Sequence, residues 1–339
     1  MNLLQRLQLA DWRLELFTAF TCVIFFFLYK FGDSYNTKKV STFLQGVSGV
    51  FEENFHLFGV GNGKLFEKDS SENFASYASG RENISRVNLV FRLAPRQNFF
   101  IWVMESIFSF FTESVSTPED KVDIVISPSA DYENFISAIV SKLGMNEYRR
   151  SNYYLSLTKT SDSASLPESF VFMSEANDFQ EKTFTERLAK SLNLSMASYL
   201  RYLAFTDQPI DRPQVIRDLI PQRRIVLSVK LVSGKQQLAE ISEVLAAVFE
   251  IIDKISSGEI TFRAESSKKV VKTRDAEVAK IIKAEEAMKQ DDLAEEKARL
   301  KREEKERFRR MSREEQERAE KKANEKKQRK LQKKMKVRS

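Results

Sequence analysis

Histidine and cysteine, on which most hydrolytic and metal chemistry relies, are scarce in this sequence. His56 is the single histidine and Cys22 the single cysteine. A Ser-His-Asp triad would have to centre on His56, and no cysteine pair can hold zinc. His56 stands among Phe55, Leu57 and Phe58, a setting for a packed or interfacial imidazole rather than a ligand. Gly59, Gly61 and Gly63 invite a phosphate-loop reading. The Walker pattern, however, needs glycine where Phe58 stands and Ser or Thr where Leu65 stands, and the dinucleotide pattern needs glycine at Lys64. A turn is expected there instead. Adjacent acids such as Glu52 with Glu53 and Glu119 with Asp120 read as solvated pairs. No catalytic, cofactor-binding or metal-binding residue is assigned, no cofactor is expected, and the chain is read as not an enzyme.

The chemistry that these side chains do offer is the binding of polyanions. Between Lys321 and Ser339, ten cations (Lys321, Lys322, Lys326, Lys327, Arg329, Lys330, Lys333, Lys334, Lys336 and Arg338) face one acid, Glu325, a balance of +9. On a helix they cover most of the circumference, so they can meet phosphates through counterion release with little demand on sequence. From Lys268 to Ser339 there are 27 Lys and Arg against 16 Asp and Glu, whereas Met1 to Ser267 carries 28 against 32. The basic character of the protein therefore belongs to its tail. Such a terminus points to nucleic acid, an anionic membrane surface or an acidic protein.

The element that must carry these cations spans 263–339 and is expected to be an extended basic helix or a coiled coil. Strong helix formers fill it, and acid-to-base pairs four residues apart recur, among them Glu285–Lys289, Glu295–Arg299, Glu303–Arg307 and Glu314–Arg318. Leu293, Leu300, Phe308, Met311, Leu331 and Met335 are too sparse for regular heptads, which favours a single helix. Fully helical, Lys268 to Ser339 would extend roughly 108 Å.

At the other end, residues 14–31 read as a transmembrane helix. No charge lies between Glu15 and Lys30; Trp12 and Tyr29, with Arg13 and Lys30, flank an apolar centre. Eighteen residues rise roughly 27 Å, which suits a thin bilayer such as that of the endoplasmic reticulum. A core helix or a signal peptide would share the composition, but no small-x-small cleavage site follows. The more basic C-terminal flank, with Lys30, Lys38 and Lys39, predicts a single-pass topology: residues 1–13 luminal, everything after the span cytosolic. With Cys22 inside the span, the soluble part suits a reducing compartment. The sequons at Asn83 and Asn193 are then expected to stay unglycosylated.

Residues 32–85 read as a membrane-proximal connector with an apolar stripe through Phe43, Leu44, Val47, Val50, Phe51, Phe55 and Phe58. Residues 86–262 read as a mixed α/β cytosolic domain of α+β type. Period-two alternation predicts strands at Val87–Leu93, Val122–Ile126, Tyr153–Leu157 and Ile225–Leu231, forming a sheet with one covered face. Helices are expected at Gln97–Phe111, Asp131–Leu143, within Asp178–Phe205, and at Lys235–Ile255.

Three stretches carry a resemblance: FASYASGRENISRVNLVFRL around Arg81, LPESFVFMSE (Leu166 to Glu175), and the closing EKKQRKLQKKMKVRS. In this order they resemble the calumin family, the coiled-coil subunit of the PAT complex, an intramembrane chaperone of the endoplasmic reticulum. The resemblance implies a non-enzymatic protein of that membrane which assists the biogenesis of multipass membrane proteins. It implies as partners the ribosome through its RNA, the Sec translocon, a small Asterix-like membrane subunit of the PAT complex, and nascent multipass proteins. The basic tail would make the ribosomal RNA contact; the alternative is a tether whose tail binds anionic lipid or acidic protein surfaces. Animal members place a long acidic luminal segment before the span, to which calcium binding is ascribed. Here Asp11 is the only acid before Arg13, so no calcium role is expected.

Overall fold

The computed structural model describes residues 13–61, 63–111 and 118–310, together with Glu325, Gln328 and Arg329. Its first element, α1, is one uninterrupted helix, Arg13–Asn54. The two halves of α1 differ in what surrounds them. Residues 14–31 are almost wholly exposed, whereas Val40, Phe43, Leu44, Val47 and Phe51 are each 0 % exposed. The apolar stripe of residues 40–58 is thus core, and the region read as a connector belongs to the domain.

Ten strands make one sheet among the described residues: β1 (Leu57–Phe58), β2 (Glu67–Lys68), β3 (Asn73–Ser79), β4 (Ile84–Arg92), β5 (Lys121–Pro128), β6 (Ser137–Ser141), β7 (Lys159–Ser161), β8 (Phe170–Ser174), β9 (Leu200–Thr206) and β10 (Arg224–Lys230). Their spatial order is β1-β3-β4-β5-β10-β9-β6-β8-β7, with β2 paired on β3, and the pairings are antiparallel. Register sets the expected alternating residues in rows: Leu89 faces Ile124, which faces Leu227 on β10. That apolar row lies beneath α1 and α7 (Lys235–Ser256), which pack on each other. Phe43 meets Phe91 of β4, and both Phe51 and Phe55 meet Phe249 of α7. The mixed α/β architecture with its N-terminal apolar helix and long C-terminal helix agrees with the sequence reading.

Several elements differ from their expected form. Residues 131–143 were expected to be helical but contain β6, all of whose residues are buried. Pairing with β8 on one side and β9 on the other outweighs local preference there. Tyr153–Leu157 was read as a strand but forms a short helix, α4 (Tyr153–Ser156), following α3 (Met145–Ser151). Tyr153, Tyr154 and Leu155 are consecutive buried residues, which an alternating half-exposed strand cannot provide. With Tyr148 of α3, Tyr154 and Leu155 join a second apolar cluster with Ala138, Val171, Tyr202 and Val226, so this end of the sheet is covered on both faces. Residues 178–205 hold two short helices, α5 (Asn177–Thr183) and α6 (Glu186–Ser191), a 3-10 turn, and then β9. Helix α2 (Phe99–Phe111) and α7 stand where helices were expected.

The chain divides into two units, Met1–Asp275 and Ala276–Ser339. The last helix, α8 (Ala264–Arg310), begins in the first and makes up most of what is described of the second.

Candidate membrane junction and basic arm

Two threonines lie within the apolar half of α1, and both are satisfied inside the helix. The Thr18 hydroxyl donates to the Leu14 carbonyl and that of Thr21 to Phe17, each at 2.8 Å, the pairing that a helix in lipid would need. Where this half ends, the domain grips it. The Tyr29 hydroxyl lies 3.4 Å from that of Ser71. Gly32 packs so closely that a Cβ there would sit 2.4 Å from the Arg96 carbonyl carbon. One turn on, the fully buried Asn36 amide donates to the carbonyls of Ser71 (2.8 Å) and Ala94 (3.1 Å), and its oxygen accepts from Arg96 at 3.0 Å. Asp120 completes the clasp, accepting from Lys39 at 2.6 Å, Arg96 at 2.7 Å and the Ala94 N–H at 3.0 Å. Burial pushes its carboxyl up, but these three donors prevail and hold it below the ordinary range.

The first two of the stretches that carried the resemblance are hubs of the fold; the closing one lies outside the described residues but for Glu325, Gln328 and Arg329. In the turn between β3 and β4, Gly80 (φ 88°) lies against His56, and Asn83 has φ 65°. Arg81 from this turn bonds Asn54 at the end of α1 and Asp253 of α7 at 2.6 Å, and lies over the Phe249 ring. Glu175, which closes the second stretch, takes both guanidinium nitrogens of Arg274, at 2.7 and 3.1 Å. Arg274 also bonds Asp207 at 2.7 Å. Glu175 and Asp207 are 3 % and 1 % exposed against 14 % for Arg274, so this is an interior ion cluster. Burial raises the Glu175 carboxyl against the pull of Arg274, while its two acids hold Arg274 protonated. With the Lys269 ammonium on the Glu175 carbonyl at 2.6 Å, the cluster fixes the first turns of α8 to the domain. Only the pattern of charge and burial marks Arg274; nothing in its sequence neighbourhood separates it from the other cations of α8.

Along α8, every residue from 286 to 303 is exposed. Leu293 and Leu300 are 53 % and 49 % exposed, so no apolar face is packed in this stretch. Arg299 reaches Glu303 at 3.8 Å. Of the ten cations read as the polyanion site, Arg329 is helical and exposed. Lys321, Lys322, Lys326, Lys327, Lys330, Lys333, Lys334, Lys336 and Arg338 lie outside the described residues. His56, read as packed or interfacial, is exposed just after the end of α1. Gly59, Gly61 and Gly63 all have positive φ, as a turn requires. Among the described residues no three His, Cys, Asp or Glu side chains are gathered as a metal-binding set.

Comparison with known proteins points the same way as the three stretches. A relative in Saccharomyces cerevisiae, an endoplasmic reticulum membrane protein, is 26% identical over 280 residues, covering 75% of this chain and 69% of its own. Another endoplasmic reticulum membrane protein, from Schizosaccharomyces pombe, is 28% identical over 280 residues, covering 78% and 74%. The family model for PAT complex subunit CCDC47 matches residues 11–330, which take in the apolar half of α1, the domain and all of α8. The chain belongs to the family of PAT complex subunit CCDC47.

Proposed function

We propose that this protein is a non-enzymatic, single-pass subunit of the endoplasmic reticulum membrane. Its domain faces the cytosol beside the Sec translocon, and its basic arm contacts ribosomal RNA while multipass membrane proteins are made. The observation that carries this reading is the stretch of α8 from 286 to 303, a helix with every residue in solvent, leading toward a segment of +9 balance. A helix with no packed face contributes little to a core; its charge is what it has to offer. Family membership supports a partner within the PAT complex, which we take to be a small Asterix-like membrane subunit. The yeast relatives support the endoplasmic reticulum, and the basic flank after the span supports the orientation.

The test replaces Lys326, Lys327, Lys330, Lys333 and Lys334 together by Gln, which keeps good helix formers in place. Ribosome co-sedimentation of the variant should weaken, and its slope of log affinity against log salt should flatten by about 0.7–0.9 per lost contact. Membrane insertion should be unchanged. If ribosome binding matches the parent at every salt concentration while binding to anionic vesicles is lost, the arm is a lipid tether and the proposal fails.

A further inference from the structure

Helix α2 presents an apolar face that the domain does not cover. Its sequence, FFIWVMESIFSFF, holds one charge, Glu105. At 100° per residue, Phe100, Met104, Ile107 and Phe108 fall on one side, with exposures of 67 %, 37 %, 49 % and 50 %. Trp102, Glu105, Ser106 and Ser109 fall on the other. The Ser106 hydroxyl donates to the Trp102 carbonyl at 2.7 Å and Ser109 to Ser106 at 2.9 Å, so both hydroxyls are satisfied within the helix. In water this surface would be a liability, since so large an apolar patch marks a contact.

Where α2 begins says what the contact is. The Gln97 N–H lies against Gly32, at the point where α1 leaves its apolar half, and the Asn98 side chain then accepts from the Ile101 N–H at 3.3 Å to start α2. The start of α2 is therefore held close to Gly32, which follows Tyr29 and Lys30, the residues expected at the headgroup level, within one turn of α1. Thirteen residues rise about 20 Å, too short to cross a hydrocarbon core of about 30 Å. An amphipathic helix of this length at this depth fits in the interface plane, with its apolar side among the acyl chains and its polar side toward water.

We infer that α2 is a second membrane contact: it lies in the bilayer interface beside the exit of α1, with Phe100, Met104, Ile107 and Phe108 in lipid. This rests on α1 spanning the bilayer and is otherwise independent of the ribosome reading. It would fix the tilt of the domain on the membrane through two contacts instead of one.

The test uses the full-length protein in phosphatidylcholine vesicles. Cys22→Ser removes the only cysteine, and Ile107→Cys then accepts a single environment-sensitive fluorophore; Met288→Cys on the exposed arm is the control. With vesicles that retain the protein through carbonate extraction, the label at 107 should shift to the blue. It should lose intensity to lipids with a nitroxide near the carbonyl end of the acyl chain, and less to lipids with it at the chain terminus. The label at 288 should lose none. Adding Phe100→Lys and Phe108→Lys should reverse the loss at 107 without changing the urea unfolding midpoint. A label at 107 that lipid nitroxides do not quench, in protein that resists carbonate, overturns the inference and assigns the face to a protein partner or to water. Quenching that survives both lysines overturns it too. Protein extracted by carbonate would instead bring down the reading of α1.

Discussion

Arg274 sits between two carboxylates that have almost no access to water, Glu175 and Asp207. Arg274→Met should therefore leave two buried acids without their cation and destabilise the domain by about 3–5 kcal/mol, measured by urea unfolding of the full-length protein in detergent. The pH dependence has a definite sign. An acid whose folded pKa is raised stabilises the fold when protonated, so the deficit of Arg274→Met should shrink as pH falls toward the unfolded carboxylate range near 4. Asp120 works the other way, because Arg96, Lys39 and the Ala94 N–H hold its carboxyl low. Its contribution is complete above the unfolded value of about 3.9 and is lost as pH falls through the lower folded one. Asp120→Asn should thus cost stability at neutral pH and remove part of the acid-induced loss. Neither role could be read from sequence: Asp120 looked like one of a solvated pair with Glu119. Burial depends on partners 81 and 24 residues away, Lys39 and Arg96.

Three glycines of α1 separate contact from propensity. A Cβ at Gly32 would meet the Arg96 and Gln97 backbone at 2.4–2.5 Å, and backbone cannot swing aside. At Gly46 it would meet the Leu238 Cδ1 at 2.4 Å, a side chain with some freedom to yield. At Gly49 nothing lies within 4 Å. Ala at Gly32 should cost about 1–3 kcal/mol by overpacking and at Gly46 less, whereas at Gly49 it should stabilise by about 0.5–1 kcal/mol through helix propensity. Urea midpoints of the three variants check the order. The elements that the sequence made legible were those whose pattern came from one face being covered, β4, β5 and α7, together with β10, whose alternating Ile225, Leu227 and Val229 stood out although its other face is buried as well. Those it hid were buried on two faces, such as β6, or too short for a period to show, such as α4. The stripe on α1 was legible as a stripe, but its destination was not, because the same residues suit a membrane surface or a core. The candidate site was legible as charge and only slightly as structure, since acid-to-base pairs four residues apart specify helix without saying what it meets.

For the molecule as a whole, orientation is the property on which the rest depends. The sequon at Asn83 lies in the tight β3–β4 turn, its side-chain amide bonded to Asp253 at 3.1 Å, and that at Asn193 caps a 3-10 helix through Met196 N–H at 3.0 Å. With the domain in the cytosol, endoglycosidase should leave the mobility of the native protein unchanged. A shift abolished by Asn83→Gln or Asn193→Gln would reverse the topology and with it the proposed function. The single helix from Arg13 to Asn54 has a further consequence for how such a protein leaves the membrane. An unfoldase that engages the exposed arm and pulls has no swivel or linker between its load and the anchor. The force passes through Phe43, Val47 and Phe51, which are buried in the core, before it reaches the exposed apolar half of α1. Extraction pulled from the arm should therefore unfold the domain first, so that substitutions loosening the core under α1 should speed it more than substitutions in the apolar half of the helix.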